Sequence, residues 1–153
     1  MPMTPFYSRH RELAFRETRS ATVEGDASLP GGEYGFLELY CDEKGCDCRR
    51  VLVQVLRRDT GSTVWATINF GWERPGFYRS WAKGDRRTAH QMAGVSLDPL
   101  NPQTKYATAL LELFGSVVQD TEYVERLTRH YALHQGSALT SDAPGSTGDE
   151  GRR

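Results

Sequence analysis

All three cysteines of the chain fall between positions 41 and 48, as Cys41-Asp-Glu-Lys-Gly-Cys46-Asp-Cys48, and runs of alternating side chains flank them on both sides. This placement constrains the fold more than any other feature, because the thiols stand where a hairpin must turn. Before them, Phe36, Glu38 and Tyr40 share one face of residues 35–41, with Leu37 and Leu39 opposite. After them, Val51, Val53 and Val55 alternate with Leu52, Gln54 and Leu56 over residues 49–57. A period of two predicts strands, so the spacing gives two strands joined across a cysteine loop. Asp59-Thr60-Gly61-Ser62 then predicts a turn, and residues 63–71 carry the same period through Val64, Ala66, Ile68 and Phe70.

Around this meander the pattern changes. Residues 15–23 read as an edge strand. Glu73-Arg74-Pro75-Gly76 predicts the start of a short helix over residues 77–83, with Phe77 and Trp81 one turn apart. Apolar stripes predict two longer helices, residues 105–118 (Ala107, Leu110, Leu111, Phe114, Val118) and 122–134 (Tyr123, Val124, Leu127, Tyr131, His134). Asp120-Thr121 supplies a cap, and the short link makes the helices antiparallel neighbours. Strands first and helices later predict an α+β domain, with an antiparallel sheet of three or four strands and the C-terminal helices on one side. Residues 1–134 form this single domain in the sequence reading. Residues 135–153, dominated by Gly, Ser, Thr, Ala, Asp and Pro, are expected to be a disordered tail, since they offer too little apolar surface to offset ordering entropy.

Composition sets the outer limits. A domain of this length buries roughly 70% of its unfolded surface, so a metal would be a staple rather than the only support. A formal net charge of −1 gives the whole molecule no long-range attraction for nucleic acid or anionic lipid, and any such binding must be local. No stretch has the length of a membrane span, and residues 1–17 lack the apolar run of a signal peptide. Thiols in such a chain favour a reducing compartment, here the cytoplasm.

Three thiols in one turn point to a soft cation, and zinc first among them. Zinc takes four ligands in a tetrahedron; Cys41, Cys46 and Cys48 supply three, with Gly45 easing the turn between the first two. The four histidines are His10, His90, His130 and His134. His130 is the expected fourth ligand, with His134, His10 or water as alternatives and Asp42 or Asp47 as poorer ones. The plainer reading, free thiols at a hairpin end, meets the objection that a Cys46–Cys48 bridge closes a very small ring and any pairing leaves one thiol over. Three thiolates make zinc a weak Lewis acid, so the site is expected to be structural. No nucleophile–base pair, paired-carboxylate cleft or phosphate loop stands out, and no enzyme activity is expected.

Two alternatives accompany the zinc reading. Arg49 and Arg50 beside Cys48 could lower a thiol pKa in a metal-free redox or sensor protein. Residues 72–87 combine Trp72, Phe77, Tyr78 and Trp81 with Arg74, Arg79, Lys83, Arg86 and Arg87, types that stack on bases and contact phosphates. The plainer reading, aromatics anchoring a helix and charges in solvent, is favoured for that segment.

Phe36-Leu-Glu-Leu-Tyr-Cys41, Cys46-Asp-Cys-Arg-Arg-Val51, Ala66-Thr-Ile-Asn-Phe-Gly-Trp-Glu73, Phe77-Tyr-Arg-Ser-Trp81 and Tyr123-Val-Glu-Arg-Leu-Thr-Arg-His-Tyr131 together resemble an uncharacterised family of bacterial proteins, a domain of unknown function with a Cys-x4-Cys-x-Cys hairpin. The resemblance carries no activity. It implies a bacterial cytoplasmic setting and a link between the cysteine loop and the last helix. The functional expectation is a zinc-stabilised binding or adaptor domain, with protein or nucleic acid as partner and no membrane.

Overall fold

The structure, a computed structural model, describes residues 3–142. Its centre is a six-stranded antiparallel sheet of β1 (Met3–Pro5), β2 (Ser20–Val23), β3 (Gly32–Cys41), β4 (Arg50–Arg57), β5 (Val64–Gly71) and β6 (Gly94–Leu97). The order is β1-β3-β4-β5-β6, and β2 also pairs with β3. β3 reaches ten residues because its outer edge serves two partners in succession. β2 lies along Gly32–Gly35, and β1 lies along Leu39–Cys41. The expected meander β3-β4-β5 is present, and the short strands β1, β2 and β6 extend it beyond the predicted count.

Alternation sorts the two faces. Tyr34, Phe36, Glu38 and Tyr40 of β3, Val51, Val53 and Val55 of β4, and Ala66, Ile68 and Phe70 of β5 are all buried, and the register places Phe36 opposite Val55, Glu38 opposite Val53, and Val53 opposite Ile68. The helices α3 (Ala107–Val117) and α4 (Thr121–Asp142) cover that face. Their stripes were legible in the sequence: Leu110 and Phe114 from α3, Tyr123 and Leu127 from α4, all fully buried. Phe114 packs edge-on to Phe36, Phe70 and Tyr123 at centroid distances of 5.2, 6.1 and 6.2 Å. Truncating it to alanine empties a space lined by three rings, with an expected cost of about 3–5 kcal/mol. Urea denaturation should show that loss as a lower midpoint with an unchanged slope.

Asp120 caps α4 as the sequence suggested, its Oδ1 accepting from the backbone of Glu122 at 3.0 Å. α4 then runs past His134 to Asp142, so residues 135–142 of the expected tail are helical; residues 143–153 lie outside the described residues. The predicted edge strand over residues 15–23 divides in two. Arg11–Glu17 forms α1, and only Ser20–Val23 is strand.

The short helix expected over residues 77–83 is instead a 3-10 turn, Pro75–Arg79, followed by further turns and by α2 (Arg86–Met92), which Asp85 caps through Thr88. The tighter winding changes the anchor. Tyr78, rather than Phe77 with Trp81, is fully buried, and with Ala82 and Ala89 it forms a small second core. Its hydroxyl donates to the Arg49 carbonyl at 2.8 Å and accepts from the Glu73 backbone at 3.2 Å. Gly71 permits this docking, since a Cβ there would stand 2.6 Å from the Tyr78 hydroxyl and would also collide with the Met92 carbonyl.

Candidate metal centre

β3 delivers Cys41 fully buried at its last residue, and a tight turn closes immediately after it, with the Cys46 backbone donating to the Glu43 carbonyl at 3.1 Å. Gly45 adopts φ 76°, a left-handed conformation that a Cβ disfavours, and so serves the role its position suggested. Arg49 is also left-handed, at φ 50°, and turns the chain from Cys48 into β4. The result brings Cys41, Cys46 and Cys48 together. Their sulfurs lie within 4.8 Å of one another, with Cys41 and Cys48 buried and Cys46 partly open. Sulfurs sharing a tetrahedral zinc stand about 3.8 Å apart, given a Zn–S bond near 2.3 Å, so small side-chain rotations convert the cluster to a coordinating one. All three are free thiols.

α4 covers this loop. The Tyr131 hydroxyl accepts from the Arg49 backbone at 3.2 Å and donates to the Cys46 carbonyl at 3.4 Å, while Gln135 Nε2 donates to the Cys41 carbonyl at 3.2 Å. Trp72 packs edge-on to Tyr131, with 5.3 Å between centroids. Helix, loop and the end of β5 thus meet around one tyrosine.

His130 does not join the sulfurs. Among the described residues, the group with metal-holding geometry contains the three cysteines and no histidine or carboxylate. The helical register explains the displacement: with Tyr131 over the loop, His130 falls one step of about 100° around the helix and faces β3 and α1 instead. There its Nδ1 lies 2.7 Å from Glu38 Oε1 and its Nε2 lies 2.7 Å from Glu17 Oε1. Both nitrogens face carboxylates, leaving no lone pair for a metal. Burial alone would lower the pKa of this ring, but the hydrogen bonds and charges of Glu38 and then Glu17 outweigh it, and the net shift is upward. The ring also stacks on Phe6 at 4.3 Å and 12°. Glu38 Oε1 accepts a second hydrogen bond from the Tyr40 hydroxyl at 2.8 Å.

The other candidates are placed elsewhere too. His134 is fully buried with its Nε2 3.4 Å from Asp42 Oδ1, and burial followed by the charge of Arg9 lowers its pKa. His10 Nε2 stands 2.6 Å from the Ser137 hydroxyl, and His90 lies exposed on α2. Asp42 is paired with Arg9 at 2.7 Å, and Asp47 is bound by the Arg49 guanidinium through two 2.9 Å contacts.

The electrostatics of the thiols follow from burial and crowding. Burial, followed by the neighbouring Cys46 and Cys41 sulfurs, pushes the Cys48 thiol up to about 12; Cys41 is raised chiefly by burial as well. The neighbouring arginines counter this only in part: the Arg50 backbone N–H lowers the Cys48 thiol, but burial outweighs it. Arg49 is committed to Asp47 and Glu73 and lies 4.4 Å over the Phe77 ring, and Arg50 Nε donates to the Met92 carbonyl at 3.3 Å. Metal-free, the Cys41 and Cys48 thiols stay protonated at neutral pH, and a cation binding there must displace their protons.

The residues that sequence reasoning missed are the carboxylates of His130. Glu38 had left a signal, because alternation put it on the inward face between Phe36 and Tyr40, where a carboxylate demands a partner. Glu17 left none. Among the described residues, no helix is long and apolar enough to cross a membrane. Comparison with protein-family models, with curated proteins and with solved structures gave no match, so the resemblance to a bacterial family adds nothing to the geometry.

Proposed function

We propose that Cys41, Cys46 and Cys48 bind one zinc ion as thiolates, and that the protein is a zinc-stabilised binding module working in a reducing compartment such as the cytoplasm. The observation that carries this is the convergence of three sulfurs within 4.8 Å at the turn of one hairpin. Soft thiolate sets of this kind select zinc and related soft cations over magnesium or calcium. The fourth position falls to water or to a ligand outside the described protein groups, approaching from the side of the partly open Cys46. Three negative ligands blunt the metal's Lewis acidity, which favours a structural over a hydrolytic role. Its place between β3, β4 and α4 suits a staple that fixes the loop beneath Tyr131.

The thiol-redox alternative draws less support. A reactive cysteine needs a stabilised thiolate, whereas burial holds Cys48 and Cys41 as thiols and Arg49 and Arg50 are engaged elsewhere.

Elemental analysis of protein purified without added metal or chelator tests the proposal. The expected result is about one zinc per chain, lost when the three cysteines are replaced together by serine. A well-folded wild-type protein containing no metal and failing to take up added zinc would sink it.

A further inference from the structure

The segment from Arg74 to His90 stands out by charge. Arg74, Arg79, Lys83, Arg86 and Arg87 are all exposed, and among the described residues none of them forms an ion pair. The nearby acids are already engaged: Glu73 binds Arg49, and Asp85 caps α2 through Thr88. A nearly neutral protein therefore carries, along this segment, a run of exposed basic side chains without acidic partners among the described residues. Arg79, Arg86 and His90 also line a single depression of about 200 Å³, whose other walls are Pro75 and Ala89 and which no carboxylate enters.

The aromatics of this segment divide by exposure. Trp72 packs on Tyr131, Phe77 lies beneath the Arg49 guanidinium, and Tyr78 is buried. Trp81 alone is open, at 38% exposure, and Phe77 holds it in place at 5.2 Å between ring centroids. A held, partly open indole two residues along the chain from Arg79, which lines the depression, offers a stacking platform to accompany a phosphate clamp.

We propose that this surface binds single-stranded nucleic acid, with Arg79, Arg86 and His90 holding a backbone phosphate and Trp81 stacking on a base. Arginine supplies most of the charge, and its planar fork matches phosphate oxygens in a way that a diffuse acidic protein surface does not require. Stacking on Trp81 needs a base free of its duplex partner, which selects single strands. The inference rests on the protein being a binding module and names its partner; it does not require the zinc.

Fluorescence anisotropy with a fluorescein-labelled oligothymidylate tests it on the full chain. Wild-type affinity should fall steeply between about 50 and 200 mM salt. Arg79→Gln with Arg86→Gln should weaken binding at least tenfold and reduce the log–log salt slope by about 1.4, the value for two fewer phosphates neutralised on a single strand. Trp81→Ala should cost about tenfold and leave the slope unchanged. These positions are exposed, and circular dichroism of each variant confirms that the comparison is between folded proteins. Unaltered binding by the variants, equal affinity for the annealed duplex, or equal competition by polyglutamate would each overturn the proposal, the last by assigning the surface to an acidic protein. Zinc content read on the same samples separates the two readings. Metal-free protein that binds the oligonucleotide retains this one and sinks the zinc site; zinc-loaded protein that ignores it does the reverse.

Discussion

Chelation of the metal should lower the melting temperature of the wild-type protein by about 8–16 °C. A ligand that binds only the folded state contributes about 4 kcal/mol when its free concentration is 1000 times its Kd, and a chain of this size shifts by about 2–4 °C per kcal/mol. Cys48→Ser should reproduce the loss, because Cys48 is buried beside both other sulfurs and two thiolates hold zinc far less well than three. The fold should survive, since the core of β3, β4, β5, α3 and α4 lies largely away from the loop. Differential scanning calorimetry with and without chelator reads the effect directly. Coincident melting curves would mean that the sulfurs meet without a metal's help. The chelated protein should also lose order first where Tyr131 and Gln135 grip the loop, which hydrogen exchange at residues 42–49 would report.

His130→Ala is expected to cost about 3–5 kcal/mol, because it strips a buried carboxylate of its charged partner. Glu38 is 2% exposed and would retain only the Tyr40 hydroxyl on Oε1. The pH dependence distinguishes this from a simple loss of packing. The folded-state pKa of His130 is raised, so its stabilisation is fully present below the unfolded value near 6.5 and disappears as pH rises through the folded value. Glu17 is lowered, first by its hydrogen bond from His130, so its contribution is present above the usual carboxylate range and fades as pH falls through the lowered folded value. Both contributions coexist between about pH 4.5 and 6.5. The stability difference between wild type and His130→Gln should therefore be largest in that window and shrink on the alkaline side. A difference independent of pH would show that the ring acts only through its stacking on Phe6. Zinc content unchanged in His130→Ala would agree with its position away from the sulfurs.

The parts of this architecture that were legible in the sequence are those with local periodicity. β3, β4 and β5 announced themselves by alternation over runs long enough to count, and α3 and α4 by apolar stripes on either side of Asp120. The cysteine spacing placed three sulfurs at one turn, with Gly45 where the backbone needed it. What stayed hidden was either short or distant. β1 and β6 have too few residues for a period to emerge, and each exists because a longer neighbour supplies its hydrogen bonds. The segment after Pro75 winds more tightly than an α-helix, which moved the anchor from Phe77 and Trp81 to Tyr78. His130 illustrates the larger limit. Its partners lie on β3 and α1, far away along the chain, and nothing near it in sequence separated a metal ligand from a charged partner of glutamates. A carboxylate on an inward face is the clue to weigh more heavily: Glu38 had to be satisfied by a cation, and a histidine on the covering helix was available.

The double pairing along the outer edge of β3 bears on how the chain can safely be shortened. β1 and β2 together shield the two ends of a strand that reads Gly-Glu-Tyr-Gly-Phe-Leu-Glu-Leu-Tyr-Cys, aromatic and aliphatic for most of its length. Deleting the first two dozen residues would remove both short strands and bare a long row of unpaired amides and carbonyls bordered by apolar side chains, the template on which chains of like sequence stack into fibrils. The N-terminal segment is thus a solubility device as much as a structural one, guarding the sheet against its own copies.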